Sequence, residues 1–215
     1  MGRLQAFDTT TAVQAARDLF WDQGFEATSL ADLELATGLN RSSLYHAFSS
    51  KRGLFDAAAQ DYLDTVIRPR LAGLTATGDT AAGGTTADRD PAAEAAAALV
   101  EYFDSLARAV AALPTGSARR GCLLVNATAG LAAHDDAARV VVDGYRVELM
   151  AALRGALVSA TPARAADLLD ADARVLASLS ISAMVLARIN TTEAVALLAS
   201  AVEMVGQLTG AASTG

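Results

Sequence analysis

Four residues within six positions, Arg41, Ser42, Ser43 and His46, place hydrogen-bonding groups at what the spacing predicts as the start of a short helix. A guanidinium fork pairs best with the O6 and N7 edge of guanine, and hydroxyls and an imidazole supply further polar contacts at shorter reach. Groups suited to an anion surround them. Thr28 and Ser29 stand at a predicted helix N-terminus, where free N–H groups and the helix dipole favour negative charge. Tyr45 offers a hydroxyl on a rigid arm, and Lys51 adds a cation to the start of the following helix. Leu44 and Phe48 fall on the opposite side and would hold the helix at its angle. The chemistry this set offers is recognition of base edges between phosphate contacts.

Such residues need a scaffold, and the chain supplies local signals for one. Val13, Ala16, Leu19 and Phe20 recur at helical spacing from Thr10 to Gly24, where glycine ends the pattern. Ser29 and Asp32 are spaced as a capping box before a short helix, Leu30 to Thr37, and Gly38 stops it. Asn40 caps the next helix, Arg41 to about Phe48. Ser49-Ser50 then breaks the chain and restarts it as a longer helix from Lys51 to about Leu71. Two short helices joined at Gly38 form a helix-turn-helix unit, whose second helix enters the major groove.

Residues 75–90 are small, polar and glycine-rich, and read as a flexible loop. After Pro91, placed at a helix start, Leu99, Phe103, Leu106 and Val110 form one stripe. Arg120 to about Ala133 is apolar almost all round and reads as one helix. Asp135 to about Ser159 reads as another. A helix from about Pro162 to Ile189, interrupted near Asp170 to Asp172, precedes a last one from about Thr192 to Leu208. The expected fold class is all-α, about nine helices. A helix-turn-helix domain (1–52), a connecting helix (53–74), the flexible loop (75–90) and a ligand-binding and dimerisation domain (91–215) follow in order. The last two helices are apolar on more than one side, which in a chain of 215 residues points to a second copy as partner.

Composition agrees. Alanine dominates a hydrophobic fraction of 53% while aromatics make up only 5%, which favours packed helices over sheet. The net charge of −7 argues against nonspecific coating of nucleic acid. Met1–Arg70 holds seven Lys/Arg against nine Asp/Glu, yet Asn40–Arg52 carries three cations and His46 with no acid. A local positive potential and modest nonspecific affinity are therefore expected. The competing reading is a three-helix core whose charges form a solvated face. One cysteine excludes an intramolecular disulfide and suits a reducing cytoplasm. The N-terminus lacks a signal-peptide pattern, and the apolar run Val175–Ala187 is shorter than the ~20 residues a membrane span needs. A cytoplasmic protein without membrane contact is expected.

From Thr28 to Lys51 the sequence resembles the TetR-type transcriptional regulators. The likeness is strongest over Leu44-Tyr45-His46-x-Phe48-x-x-Lys51, followed by Leu54-Phe55. The resemblance implies a homodimeric repressor that leaves a palindromic double-stranded operator when it binds a small molecule. It carries DNA contacts over to Thr28, Ser29, Arg41, Ser43, Tyr45, His46 and Lys51. Many relatives have a basic arm before the first helix, whereas this chain offers only Arg3. In the second half the likeness is weaker; Arg120-Gly-Cys-Leu-Leu-Val-Asn126 is similar to a segment that opens a helix beneath a ligand cavity in one subgroup.

For an unidentified effector, candidate pocket residues are Tyr102, Phe103, Asn126, Thr128, Tyr145 and Met184, which are polar, aromatic or adaptable groups on apolar helices. Ordinary core packing explains each of them as well. Cys122 beside Arg119-Arg120 is a candidate thiol sensor, against the alternative of a small buried core residue. His134-Asp135-Asp136 is explained by a capped helix start, so no metal or cofactor is expected. No phosphate loop, metal cluster or nucleophile–base pair points to an enzyme. A helical interaction module without DNA binding is the remaining alternative.

Overall fold

The computed structural model describes residues 8–75, 90–114, 117 and 119–210. The expected loop at 75–90 lies outside them except for its two end residues, and Arg3 lies outside as well. The helices are α1 (Thr9–Gln23), α2 (Leu30–Thr37), α3 (Arg41–Phe48), α4 (Lys51–Tyr62), α5 (Arg68–Thr75), α6 (Pro91–Ala112), α7 (Leu123–Asn126), α8 (Leu131–His134), α9 (Asp136–Ala160), α10 (Ala166–Leu186) and α11 (Thr191–Thr209). A π-helical turn, Leu63–Ile67, joins α4 to α5. The fold is all-α.

The described residues pack as two compact units, one drawn from 8–66 and 122–142, the other from 67–75, 90–114, 117, 119–121 and 143–210. The linear partition read from sequence puts 122–142 with the second half, whereas in space this segment belongs with the first; α7 rests against both α1 and α4.

The first unit is held by aromatics. Phe20, Phe25 and Phe55 meet pairwise with ring centroids 5.3–5.9 Å apart, and Trp21 packs edge-on to Tyr62 at 4.9 Å. Leu33, Leu44 and Leu54 are buried against this cluster's helices. They fix α2 and α3 to α4 from the inside, and each buried side chain of this size contributes about 2 kcal/mol. Asp8 caps α1, accepting from the Thr10 N–H at 2.9 Å.

The second unit packs α6 against α11 and α11 against α10. Ala95, Ala173, Ala177, Ala183, Ala194 and Ala201 are buried there, so the alanine-rich composition lets the helices approach closely. Leu99, Phe103, Leu106, Val110, Leu176, Leu198 and Val205 fill the layer between them. Asp90 caps α6 through the Ala92 N–H, with Pro91 in the first turn.

Three expectations need correction. The helix expected from Lys51 to Leu71 runs unbroken, but its middle, Leu63–Ile67, is a π turn and not α-helix. Pro69 has no N–H to donate and its ring crowds the carbonyl four residues back, that of Thr65. The Thr65 hydroxyl also takes the Asp61 carbonyl at 2.7 Å, competing with the ladder. The wider π turn over 63–67 accommodates both. The single helix expected over 120–133 is instead the two short turns α7 and α8. Arg120 is held outside by the carbonyls of Leu113 and Pro114 and by the Thr191 hydroxyl. Gly121 follows with φ of 81°, a conformation no helix continues. The break expected at 170–172 is absent: α10 runs through it, and the two acids pair with Arg154 and Arg164 instead.

Between α3 and α4 lies a strained point. Ser49 has φ 65° and ψ −34°, and the Ser50 N–H bonds back to the Phe48 carbonyl at 2.8 Å, closing a three-residue turn. A serine pays for this with its Cβ. Replacing Ser49 with Gly should therefore stabilise the domain by about 0.5–1 kcal/mol, raising the midpoint in a thermal scan by a few degrees; an unchanged or lower midpoint would show the turn to be relaxed.

Candidate nucleic-acid interface

The site is assembled by four caps in succession. Ser29 accepts from the Asp32 N–H at 3.1 Å, and the Asp32 carboxylate receives the Ser29 N–H at 2.8 Å and its hydroxyl at 2.6 Å, completing the capping box. The Ser29 hydroxyl and N–H hold the Asp32 carboxyl below its usual range. Gly38, at φ 69°, ends α2 in the left-handed region with its N–H on the Glu34 carbonyl. Asn40 Oδ1 accepts from the Ser43 N–H at 2.9 Å and starts α3. Ser50 Oγ accepts from the Gly53 N–H at 2.9 Å and starts α4.

On α3 this leaves Arg41, Ser42, Tyr45 and His46 exposed along one side, with Ser43 half-buried and Leu44 turned into the core. Tyr45 borders a shallow cleft together with Leu30, Leu33, Leu44, Ser50, Lys51 and Leu54. Lys51 Nζ lies 4.4 Å from the centroid of the Phe25 ring. Desolvation there lowers its pKa, and the neighbouring Glu26 charge opposes the shift.

Thr28 departs from its expected role. It is 1% exposed, and its hydroxyl donates to the Gly24 carbonyl at 2.7 Å. Its side chain braces the α1–α2 turn and has no free face for a phosphate; Ser29, by contrast, is exposed.

The basic island of the sequence is also less basic in space. Arg41 Nε lies 3.7 Å from Glu34 Oε1. Arg52 pairs with Asp56 at 2.9 Å and with Asp135. Glu26 acts on Lys51. The window 40–52 contains no acid, but the fold brings one to each of its three cations from elsewhere in the chain. Asp135 also caps the N-terminus of α9 through the Ala138 N–H at 2.9 Å, in keeping with the helix-start reading of 134–136.

Sequence reasoning missed Gly53. A Cβ at this position would sit 2.1 Å from the Phe48 carbonyl oxygen, so α3 and α4 approach each other only because residue 53 is glycine. Its signal was a glycine in the first turn of a helix, where propensity disfavours it. Glu34 gave no signal, because its pairing with Arg41 depends on the α2–α3 angle.

The pocket candidates divide between the units. Tyr102, Phe103, Tyr145 and Met184 are buried in the second. There the Tyr102 hydroxyl shares a 3.1 Å hydrogen bond with Ser180 Oγ, a partner the sequence did not reveal. Asn126 and Thr128 belong to the first unit; Thr128 is exposed and its hydroxyl returns to the Leu124 carbonyl. Cys122 is 2% exposed at the start of α7. The Arg120 guanidinium, expected to favour its thiolate, also binds the Leu113 and Pro114 carbonyls and the Thr191 hydroxyl. Among the described residues, no helix is long and apolar enough to cross a membrane.

Residues 12–58 match the family described as "Bacterial regulatory proteins, tetR family". The transcriptional repressor BdcR of Escherichia coli (strain K12) is 30% identical over 182 residues, 85% of this chain and 82% of BdcR. ComR, another repressor of that organism, is 34% identical over 125 residues, 58% of this chain but only 51% of ComR, so the match spans about half of that relative. Among solved structures, a cysteine mutant of the TetR-family regulator CifR complexed with 26 bp double-strand operator DNA superposes with a TM-score of 0.73. It is 26% identical, and the match covers 94% of this chain and 98% of that one.

Proposed function

Because the chain belongs to the tetR family of bacterial regulatory proteins, we propose that it is a cytoplasmic transcriptional repressor. It binds a palindromic double-stranded operator as a homodimer and releases it when a small molecule occupies the second unit. The observation that carries this reading is the exposed side of α3. Arg41, Ser42, Tyr45 and His46 share it, and the exposed Ser29 cap and Lys51 flank it at the starts of α2 and α4. Base edges are read by Arg41, Ser42, Ser43 and His46, and phosphates by Ser29, Tyr45 and Lys51.

The dimer is supported by α10. Leu168, Val175 and Val185, with Ile189 just beyond its end, remain 45–78% exposed on the chain alone. Ser178 and Ser182 continue the same stripe at spacings of three and four. On α11 the outer face carries Ala196, Ala199 and Ser200, small enough for a partner helix to approach. A second copy covers this surface isologously.

The effector site is supported by the Tyr102–Ser180 pair, a polar contact inside an otherwise apolar layer, which suits a mostly apolar small molecule. Binding that favours one spacing of the two reading helices shifts the population away from the operator-bound form.

Sedimentation tests the dimer. Val175→Glu buries a charge on each side of the pair and should weaken association on the order of 100-fold. Operator affinity should fall with it while the helical content measured by circular dichroism stays constant. A Val175→Glu protein that remains a dimer would remove α10 from the interface.

A further inference from the structure

Arg41 is the one guanidinium in α3, and the fold supplies it with an acid. Glu34 of α2 stands 3.7 Å from its Nε. The pair is loose: the Arg41 side chain is 61% exposed and that of Glu34 33%. It is therefore a competitor for whatever else Arg41 binds, and exposed pairs of this kind shift an equilibrium by at most about fivefold.

The atom facing Glu34 gives the contact its direction. A guanidinium carries donors on Nε and on two terminal nitrogens. Nε is the nitrogen that pairs with Glu34, at 3.7 Å and beyond hydrogen-bond reach, so the terminal nitrogens stay available for a bidentate approach to guanine O6 and N7. A phosphate on the backbone makes a different demand, because its own negative charge is repelled by Glu34. Reaching it requires the guanidinium to swing away from its partner.

We propose that Glu34 is a specificity-determining positioning residue: its charge, paired with the Nε of Arg41, steers the guanidinium to a base edge instead of to backbone phosphate. The proposal rests on the reading of α3 as the DNA-contacting helix. It also gives a physical source for low nonspecific affinity, since Glu26 near Lys51 and Asp135 beside Arg52 place acids by the other two cations of the same window.

The test compares equilibrium affinities for the preferred duplex and for a scrambled duplex of equal length across a salt series. The proteins are wild type, Glu34→Gln, Arg41→Ala and the double variant. Glu34→Gln should bind scrambled DNA about three- to fivefold more tightly and the preferred duplex less than about twofold more tightly, so the specificity ratio falls. The salt slope on scrambled DNA should steepen by about 0.9 per chain, as Arg41 takes up a phosphate. In the Arg41→Ala background Glu34→Gln should leave the ratio unchanged, because the acid acts through the arginine. Glu34→Ala, which favours the helix, must reproduce the effect and separates it from any disturbance of α2 by glutamine.

Equal tightening on both duplexes, an unaltered slope, or the same gain without Arg41 would overturn the proposal in favour of plain repulsion. A wild-type protein that prefers no duplex would overturn the DNA-binding reading itself, and that is visible before any variant is compared.

Discussion

Gly53→Ala is expected to lower the thermal midpoint by about 5–10 °C, corresponding to some 2–3 kcal/mol of lost stability, and to reduce operator affinity by more than about tenfold. The added methyl would lie 2.1 Å from the Phe48 carbonyl oxygen, which is backbone and has no rotamer to yield. That carbonyl is already fixed as acceptor for the Ser50 N–H, across a turn where Ser49 holds a positive φ. The clash can be relieved only by moving the end of α3 away from the start of α4. Such a movement tilts the side that carries Arg41 and His46 while also displacing Lys51. Gly73 in α5 provides the control. A Cβ there meets nothing within 4 Å, so Gly73→Ala should stabilise by about 0.5–1 kcal/mol through helix propensity alone. Thermal scans that find both substitutions neutral, or both stabilising, would contradict the close α3–α4 approach.

The second large effect concerns Arg41. Its loss should remove about 1–3 kcal/mol of base discrimination at each half-site, so for a symmetric pair the preference for the operator over scrambled DNA falls roughly 30-fold or more. Affinity for scrambled DNA should change little. Lys51→Ala should behave differently, weakening both duplexes alike and reducing the salt slope by about one per chain. Its ammonium lies at the Phe25 ring at the start of α4, and in the proposed function it contacts phosphate, which is the same for every sequence. If Arg41→Ala and Lys51→Ala give the same pattern, the division between base reading and phosphate contact is wrong.

The local parts of this architecture were legible because their causes are local. Ser29 with Asp32, Gly38 and Asn40 act over two to four residues, and the caps they form stand where the spacing places them. The features that escaped depend on distant partners or on an overlooked residue. The chain leaves the helical path at Gly121, and Arg120 beside it binds Leu113, Pro114 and Thr191, the last of them 71 positions away. The π turn was in principle readable from Pro69, whose missing donor forbids an undisturbed helix from Lys51 to Leu71. Charge misled for the same reason of scale. A stretch without acids looked basic, but Glu34, Glu26 and Asp135 reach it from outside. Thr28 kept its family-like position while its hydroxyl turned inward to Gly24. A motif therefore places a residue on an element, and only packing decides which way its side chain points.

Enrichment of genomic fragments on the ligand-free protein, followed by footprinting of the enriched site, decides whether α3 reads DNA. Protection of an imperfect palindrome is expected, with half-sites about one helical turn or a multiple of it apart, salt-sensitive affinity and a guanine preference that Arg41→Ala abolishes. Enrichment of no fragment over bulk DNA would contradict that reading of α3, as would protection that is identical with and without Arg41.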